Sequence, residues 1–338
     1  MSSQLNLGLI GAGRIGRLHA EHVAFRIPNA RILIVADIDE EAAKAAADSY
    51  RINYAMADYK AILQSPAIDG VLICSATHTH AQIIIEAAAA GKHVFCEKPI
   101  DFDLAVIDHA LAAVEKAGVK FQVGFNRRFD ANYMRVQQAV ADGEIGEPHL
   151  MHIISRDPAP PPMSYIRSSG GIFLDMTIHD LDMARFLLDE EVDEIYAAGG
   201  VMVDPAIGEA GDLDTAMLTL KFKSGAIGVI DNSRQAVYGY DQRVEILGSK
   251  GSVATGNNYP NAAVISTARA IQRDLPHNFF MERYTESYVN EVQAFVDAVL
   301  EDKPVPVGGS DGRISVAMGM AAARSVDENR PVKISEIG

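Results

Sequence analysis

The sequence predicts an α/β fold: a doubly wound parallel sheet, then a second domain built on a large, open, mostly antiparallel sheet. Three observations carry this. The apolar run Leu5–Ile10 breaks into Gly11-Ala12-Gly13-Arg14-Ile15-Gly16, the G-x-G-x-x-G spacing. A second apolar run over 31–36 ends on Asp37. Strand and helix patterns then alternate to residue 124, after which the pattern changes. The expected boundary places one domain at 1–124 and the other at 125–338.

In the glycine loop, Gly11 permits a tight turn, Gly13 lets backbone approach a pyrophosphate, and Gly16 lets the following helix pack closely on the strand. The helix N-terminus, with Arg14 and Ile15 in its first turn, then turns amide groups and a positive dipole end towards phosphate oxygens. These are the marks of a Rossmann domain. Asp37 stands where an acid at the end of the second strand takes both ribose hydroxyls, and its charge opposes a 2′-phosphate. It therefore selects NAD over NADP. The competing reading of Asp37 is an N-cap for the helix at 40–49.

The first domain continues with a helix over 15–25, a short strand at 52–55, a helix at 59–64, and strand–helix pairs at 71–75 with 79–90 and at 92–96 with 104–117. A strand at 119–125 closes the series. Ligands of such sheets bind outside the carboxyl ends of the strands. That edge collects, as candidate cofactor contacts, the glycine loop, Asp37, Ser75, Thr77, His80, Glu97 and Lys98. The second domain opens with helices at 130–141 and 171–188. Strands follow at 195–203, 215–222, 226–235, 242–247 and 252–255, and helices at 282–300 and 311–328 close it.

Composition narrows the function. Hydrophobic residues make up 48% of the 338, the ordinary content of a globular protein. No run of about 20 apolar residues is present, so no membrane span is expected. The first strand begins without a basic and then apolar leader, so no signal peptide is expected. A net charge of −15 argues against a nucleic-acid partner. Cys74 and Cys96 lie in apolar runs and read as free thiols of a reducing, cytoplasmic setting, without the spacing of a metal site.

Two stretches could carry chemistry. Lys98, in Glu97-Lys98-Pro99, sits where it could donate to a substrate oxygen; an isolated lysine after a strand is more often a surface residue. In GGIFLDMTIHDLDMARFLL, Asp175 and His179 are spaced i, i+4 on the expected helix, with Asp182 three residues on. The pair suits general acid–base work, with His179 taking a proton near neutral pH and Asp175 orienting it. A structural ion pair with Arg185 is the rival reading. A metal site using Asp180 lacks a third ligand on the same face.

At these residues the sequence resembles the glucose–fructose oxidoreductase/inositol dehydrogenase (Gfo/Idh/MocA) family. The resemblance rests on GAGRIG at 11–16, CEKP at 96–99, GFNRRFD at 124–130, SRDPAPPPMSY at 155–165, GGIFLDMTIHDLDMARFL at 170–187 and NFFMERYTESYVNE at 278–291. It implies NAD-dependent oxidation of a ring hydroxyl of myo-inositol, usually by a homotetramer. By position it implies Lys98, Asp175 and His179 as the catalytic trio. Arg127, Asp157, Asp182 and a tyrosine at Tyr238 or Tyr240 would line the polyol pocket. The loop Ser75–His80 departs from the family pattern at Ala76 and His78. Other cyclic polyols or sugars are the nearest alternative substrates; a non-catalytic NAD-sensing regulator and an NAD-dependent glycosidase are the more distant readings.

Overall fold

A computed structural model of the chain describes residues 4–338, in two compact units. One comprises the chain up to Phe129 together with Glu286–Ile314; the other comprises Asp130–Thr285 and Ser315–Gly338.

The first unit holds six strands: β1 Leu5–Ile10, β2 Ala30–Ala36, β3 Tyr54–Met56, β4 Gly70–Ile73, β5 His93–Glu97 and β6 Phe121–Gly124. All pair in parallel, in the order β3-β2-β1-β4-β5-β6. The order reverses between β1 and β4, which opens a crevice at the carboxyl ends of those strands. The central strands are buried on both faces, so β4, Gly-Val-Leu-Ile, reads as a continuous apolar run. Aspartates set several helix starts. Asp39 accepts from the amides of Glu41 and Ala42, and Asp103 from that of Ala105. Gly118, with φ of 67°, ends the helix Leu104–Ala117.

The helix Thr285–Leu300 falls in the second domain by sequence position. In the structure, residues from 286 onward belong to the first unit. The reason is its apolar stripe: Val289, Val292, Phe295 and Val296 enter one core with Leu7, Leu9, Val35 and Phe95. The main chain follows, as Val123 donates to the Val307 carbonyl at 3.1 Å.

The second unit carries β7 Pro148–Arg156, β8 Val192–Gly200, β9 Thr215–Phe222, β10 Ile227–Ser233, β11 Asp241–Gly248 and β12 Gly251–Thr255. A hairpin, β13 Val264–Ser266 and β14 Ile271–Arg273, stands apart as its own two-stranded sheet, and β15 Val332–Lys333 closes the main sheet. That sheet runs β12-β11-β7-β10-β9-β8-β15. Only β10 with β7 is parallel, so it is mixed but mostly antiparallel, as expected.

Two differences from the sequence reading matter for the site. Strand β7, in the middle of the sheet, was not foreseen. Its exposed face carries Leu150 and its inner face Met151 and Ile153, so period-two alternation is blurred. The expected helix over 171–188 is two helices, Gly171–Asp175 and Thr177–Leu188, broken at Met176. Asp175 and His179 therefore do not share one continuous helical face, and the i, i+4 argument for them is withdrawn.

Phe295 is fully buried in the first unit's core. Phe295→Ala is expected to lower unfolding free energy by about 3–5 kcal/mol, measured in urea. A loss below about 1 kcal/mol would show the helix to be peripheral to that core.

Candidate functional site

In the first unit Gly11 and Gly16 act as their spacing predicts. Gly11 has φ of +99°, and a Cβ there would lie 2.6 Å from the Cys74 carbonyl and the Ser75 amide. A Cβ on Gly16 would lie 1.9 Å from the Gly11 carbonyl oxygen, so helix and strand meet at a distance only hydrogen allows. A Cβ on Gly13 would meet nothing within 4 Å. Its exposed backbone is thus open to a ligand. The helix Arg14–Arg26 starts there with no side-chain cap and no acid in its first turn, which leaves the positive dipole end for an anion.

Asp37 closes the cradle. Its Oδ2 accepts from the Ala12 amide at 2.6 Å and its Oδ1 from the Asp39 amide at 2.9 Å. The N-cap of the next helix is Asp39, so the capping reading of Asp37 fails by two residues. These features fit a pyrophosphate on the glycine loop and a ribose diol against Asp37.

The loop after β4 is fixed by short polar contacts. The hydroxyls of Ser75 and Thr79 are 2.7 Å apart, and Thr77 opens a 3₁₀ turn. His80 is a candidate cofactor contact by sequence. It is buried, with Nδ1 2.8 Å from the Pro99 carbonyl and Nε2 3.0 Å from the Ser75 carbonyl. Burial pulls its basicity below the ordinary 6.5, against the two carbonyls, which raise it. A neutral ring donates to one carbonyl at a time. His80 is thus a clamp beneath two turns, with no ring nitrogen left for a ligand.

At the end of β5, Glu97 Oε1 lies 2.7 Å from His19 Nε2. Lys98 follows, half-buried, with a cis bond to Pro99. Arg127 is buried in the turn Asn126–Phe129, while its neighbour Arg128 pairs with Asp311 at 3.0 Å.

The second unit gathers a different group. Asp175 ends its short helix with one carboxylate oxygen accepting from the Tyr165 hydroxyl at 2.7 Å and the other from Arg234 Nη1 at 3.0 Å. Arg234 is 1% exposed and reaches Asp212 Oδ2 at 3.3 Å with Nη2. Asp212 Oδ1 in turn accepts from the amides of Ile172 and Leu213, both at 2.8 Å. Asp157 acts electrostatically on both Tyr165 and Arg234. Asp157, Asp175, Tyr165 and Arg234 therefore form one polar cluster. His179 stands half-buried on the next helix, Thr177–Leu188. Arg185 pairs with Glu191, and Arg234 is a cation on Asp175.

Asp182 is buried within the helix, and Asp180 accepts from Asn232 at 2.9 Å. The Tyr238 hydroxyl donates to Asp241 at 2.6 Å and accepts from Arg156 at 3.1 Å. Tyr240 is buried edge-on to Tyr284, with ring centroids 6.0 Å apart. Sequence reasoning missed Arg234, Tyr165 and Asp212. An arginine closing an apolar strand, as Arg234 closes β10, was the available signal. Among the described residues, the one group of three with metal-ligand spacing is His19, Glu97 and Glu291, and neither Asp175 nor His179 belongs to it.

A parallel sheet with its switch point beside a glycine loop, and an acid at the end of β2, defines a dinucleotide-binding enzyme domain. The comparisons narrow this. Residues 5–125 match the oxidoreductase family with an NAD-binding Rossmann fold, and residues 133–254 match the GFO/IDH/MocA C-terminal domain. The chain belongs to the Gfo/Idh/MocA family of NAD-binding oxidoreductases. It is 46% identical to a myo-inositol 2-dehydrogenase of Thermotoga maritima, over 98% of this chain and 99% of the relative. It is 47% identical to an inositol 2-dehydrogenase of Rhizobium meliloti, over 98% and 99%. A scyllo-inositol dehydrogenase of Lactobacillus casei, solved with NAD(H) and scyllo-inositol bound, superposes with a TM-score of 0.93 at 30% identity, covering 98% of this chain and all of the other.

Arg234 is the shared cation of two carboxylates. Arg234→Met is expected to cost about 3–5 kcal/mol of stability, read by urea denaturation. Arg234→Lys, which keeps the charge but not the two-pronged reach, should recover only part. Full recovery by lysine would show that charge alone suffices.

Proposed function

We propose that the protein oxidises myo-inositol to 2-keto-myo-inositol, with NAD as acceptor. The family, the NAD-type cradle with Asp37, and two relatives at 46% and 47% identity over nearly full length support this. The observation that carries it at residue level is the Asp157–Tyr165–Asp175–Arg234 cluster. Its carboxylates and hydroxyl match the many vicinal hydroxyls of a cyclic polyol.

When bound, NAD supplies the hydride acceptor. The rest is the work of this chain's residues. His179 is the general base that takes the hydroxyl proton, a role imidazole fills near neutral pH. Lys98 positions the reacting oxygen and offsets charge that develops on it. Asp175, whose two oxygens accept from Tyr165 and Arg234, orients the substrate hydroxyl or the imidazole. Arg127, Asp157, Asp182 and one of Tyr238 and Tyr240 are the further polyol-facing candidates. Gly11, Gly13, Arg14, Ile15, Gly16, Asp37, Ser75, Thr77 and Glu97 serve the dinucleotide.

Scyllo-inositol is the second reading, favoured by the likeness to the Lactobacillus casei enzyme. The isomers differ at one carbinol carbon, so initial rates with each, using NAD and NADP, separate the two.

His179→Ala and Lys98→Ala are each expected to lower turnover by about 10²–10⁴-fold. NAD affinity, by calorimetry, should stay within about threefold of the parent. Comparable loss of NAD binding would place the defect in the fold instead of the chemistry.

We further propose a cytoplasmic homotetramer. The free thiols of Cys74, half-buried, and Cys96, buried, suit a reducing compartment. Register sets Leu247, Leu150 and Ile227 side by side across β11, β7 and β10, all more than 40% exposed. An apolar strip of this kind is an association surface. Leu150→Glu is expected to shift the mass seen by light scattering from tetramer to smaller species; an unchanged tetramer would move the interface elsewhere.

A further inference from the structure

One buried group is used by none of the steps above. Glu291, on the helix Thr285–Leu300, is fully buried in the first unit. Ligating atoms of Glu291, Glu97 and His19 lie within 4.8 Å of one another. Neither carboxyl oxygen of Glu291 takes a hydrogen bond from any described residue. Glu97, by contrast, has His19 Nε2 at 2.7 Å and a side chain 14% exposed.

We propose that Glu291 is a positioning residue for Lys98: it holds a proton as a neutral carboxylic acid, so that Glu97 stays ionised against His19 and fixes the turn bearing Lys98. The inference rests on the catalytic reading of Lys98.

Two carboxylates this close, one of them fully buried, do not both stay ionised, because the like charges repel and burial withholds water. The proton goes to the member with less solvent and fewer donors, which is Glu291. Burial first, and the Glu97 charge second, push its carboxyl well above the ordinary 4.5. The thiols of Cys74, after β4, and Cys96, on β5, are pushed up by burial and by the Glu97 charge. The Gln122 amide donates to the Glu291 main-chain carbonyl at 2.8 Å. The rings of Phe95 and Tyr288 stand edge-on to His19. Glu97 therefore supplies the negative charge at this point, one residue before Lys98. Its carboxyl is packed so closely that a Cβ on Gly124 would lie 3.1 Å from its Oε2. The His80 clamp on the Pro99 carbonyl holds the other side of the same turn.

The sign of the pH effect follows. A carboxyl with its folded value raised stabilises the fold fully below 4.5, its unfolded value, and that stabilisation is lost as pH climbs towards the folded value. Glu291→Gln keeps a neutral side chain of the same shape and removes the titration.

The test uses the full-length enzyme and its Glu291→Gln, Glu291→Ala and Lys98→Ala variants, with thermal midpoints from pH ~5 to ~8 and steady-state kinetics. Glu291→Gln should keep kcat within about threefold, and its midpoint should fall less with rising pH than the parent's. Glu291→Ala should lower kcat by about tenfold or more while KM for NAD stays within about threefold. A tenfold loss of kcat in Glu291→Gln, or a pH dependence parallel to the parent's, would overturn the proposal. So would a midpoint raised by equimolar Zn²⁺ or Mn²⁺ in the parent but not in Glu291→Gln, since a cation would then hold the proton's place. If Glu291→Ala fails to fold, the two Glu291→Gln readouts decide alone. Retained turnover in Lys98→Ala would overturn the catalytic reading of Lys98, and with it the positioning role. The Glu291→Gln midpoints would still report where the proton sits.

Discussion

The nucleotide cradle depends on one close approach: the start of the first helix lies so near the Gly11 carbonyl that any side chain at residue 16 would overlap it. That contact sets where the helix N-terminus points. It thereby sets where a phosphate meets the dipole and the exposed backbone at Gly13. The Asp37 carboxylate, bonded to the Ala12 amide, links the loop to the end of β2. One anion thus fixes the loop, and in the proposed function the same anion faces the ribose.

Buried acids in the two units illustrate opposite outcomes of the same electrostatics. Asp175 has an arginine on one oxygen and a tyrosine hydroxyl on the other, so both oxygens are matched by donors. Glu291 has no donor and a carboxylate neighbour, so its neutral form is favoured. Residue type does not decide the charge state; the donors within reach do. The role proposed for Asp175 needs an acceptor, and its two oxygens are set as acceptors by Tyr165 and Arg234. An acid intended to sit silently beneath a functional turn is better without charge.

Legibility in the sequence followed the range of the interactions. The glycine loop was readable because its turn chemistry lies within six residues, and Asp37 because its strand ends where it stands. The helix over 171–188 was misread as continuous. No proline marks the break at Met176, and the residue beyond it is held from outside, Thr177 donating to Asn232 on β10. Arg234 was invisible as a site residue because its partner Asp175 lies 59 residues away along the chain. Strand β7 was hidden by apolar residues on the face that packing leaves exposed. Lys98 and His179 stood out through resemblance more than through spacing, since a lone lysine after a strand carries little signal.

The return of residues 286–314 to the first unit has a consequence for how that unit is built. Its core draws Val292, Phe295 and Val296 from a helix that follows the whole second sheet in sequence. A chain ended near residue 124 would leave Leu7, Leu9 and Phe95 without those neighbours and would expose apolar surface that a sheet buried on both faces cannot carry in water. The nucleotide-binding unit is thus completed only after the second sheet has been crossed. Glu291 sits on the same helix and reaches the Glu97 turn from it. The segment that completes the core therefore also brings the one acid that leaves Glu97 its charge. Packing and site electrostatics depend on a single helix, which ties the order of the chain to the state of the residue beside Lys98.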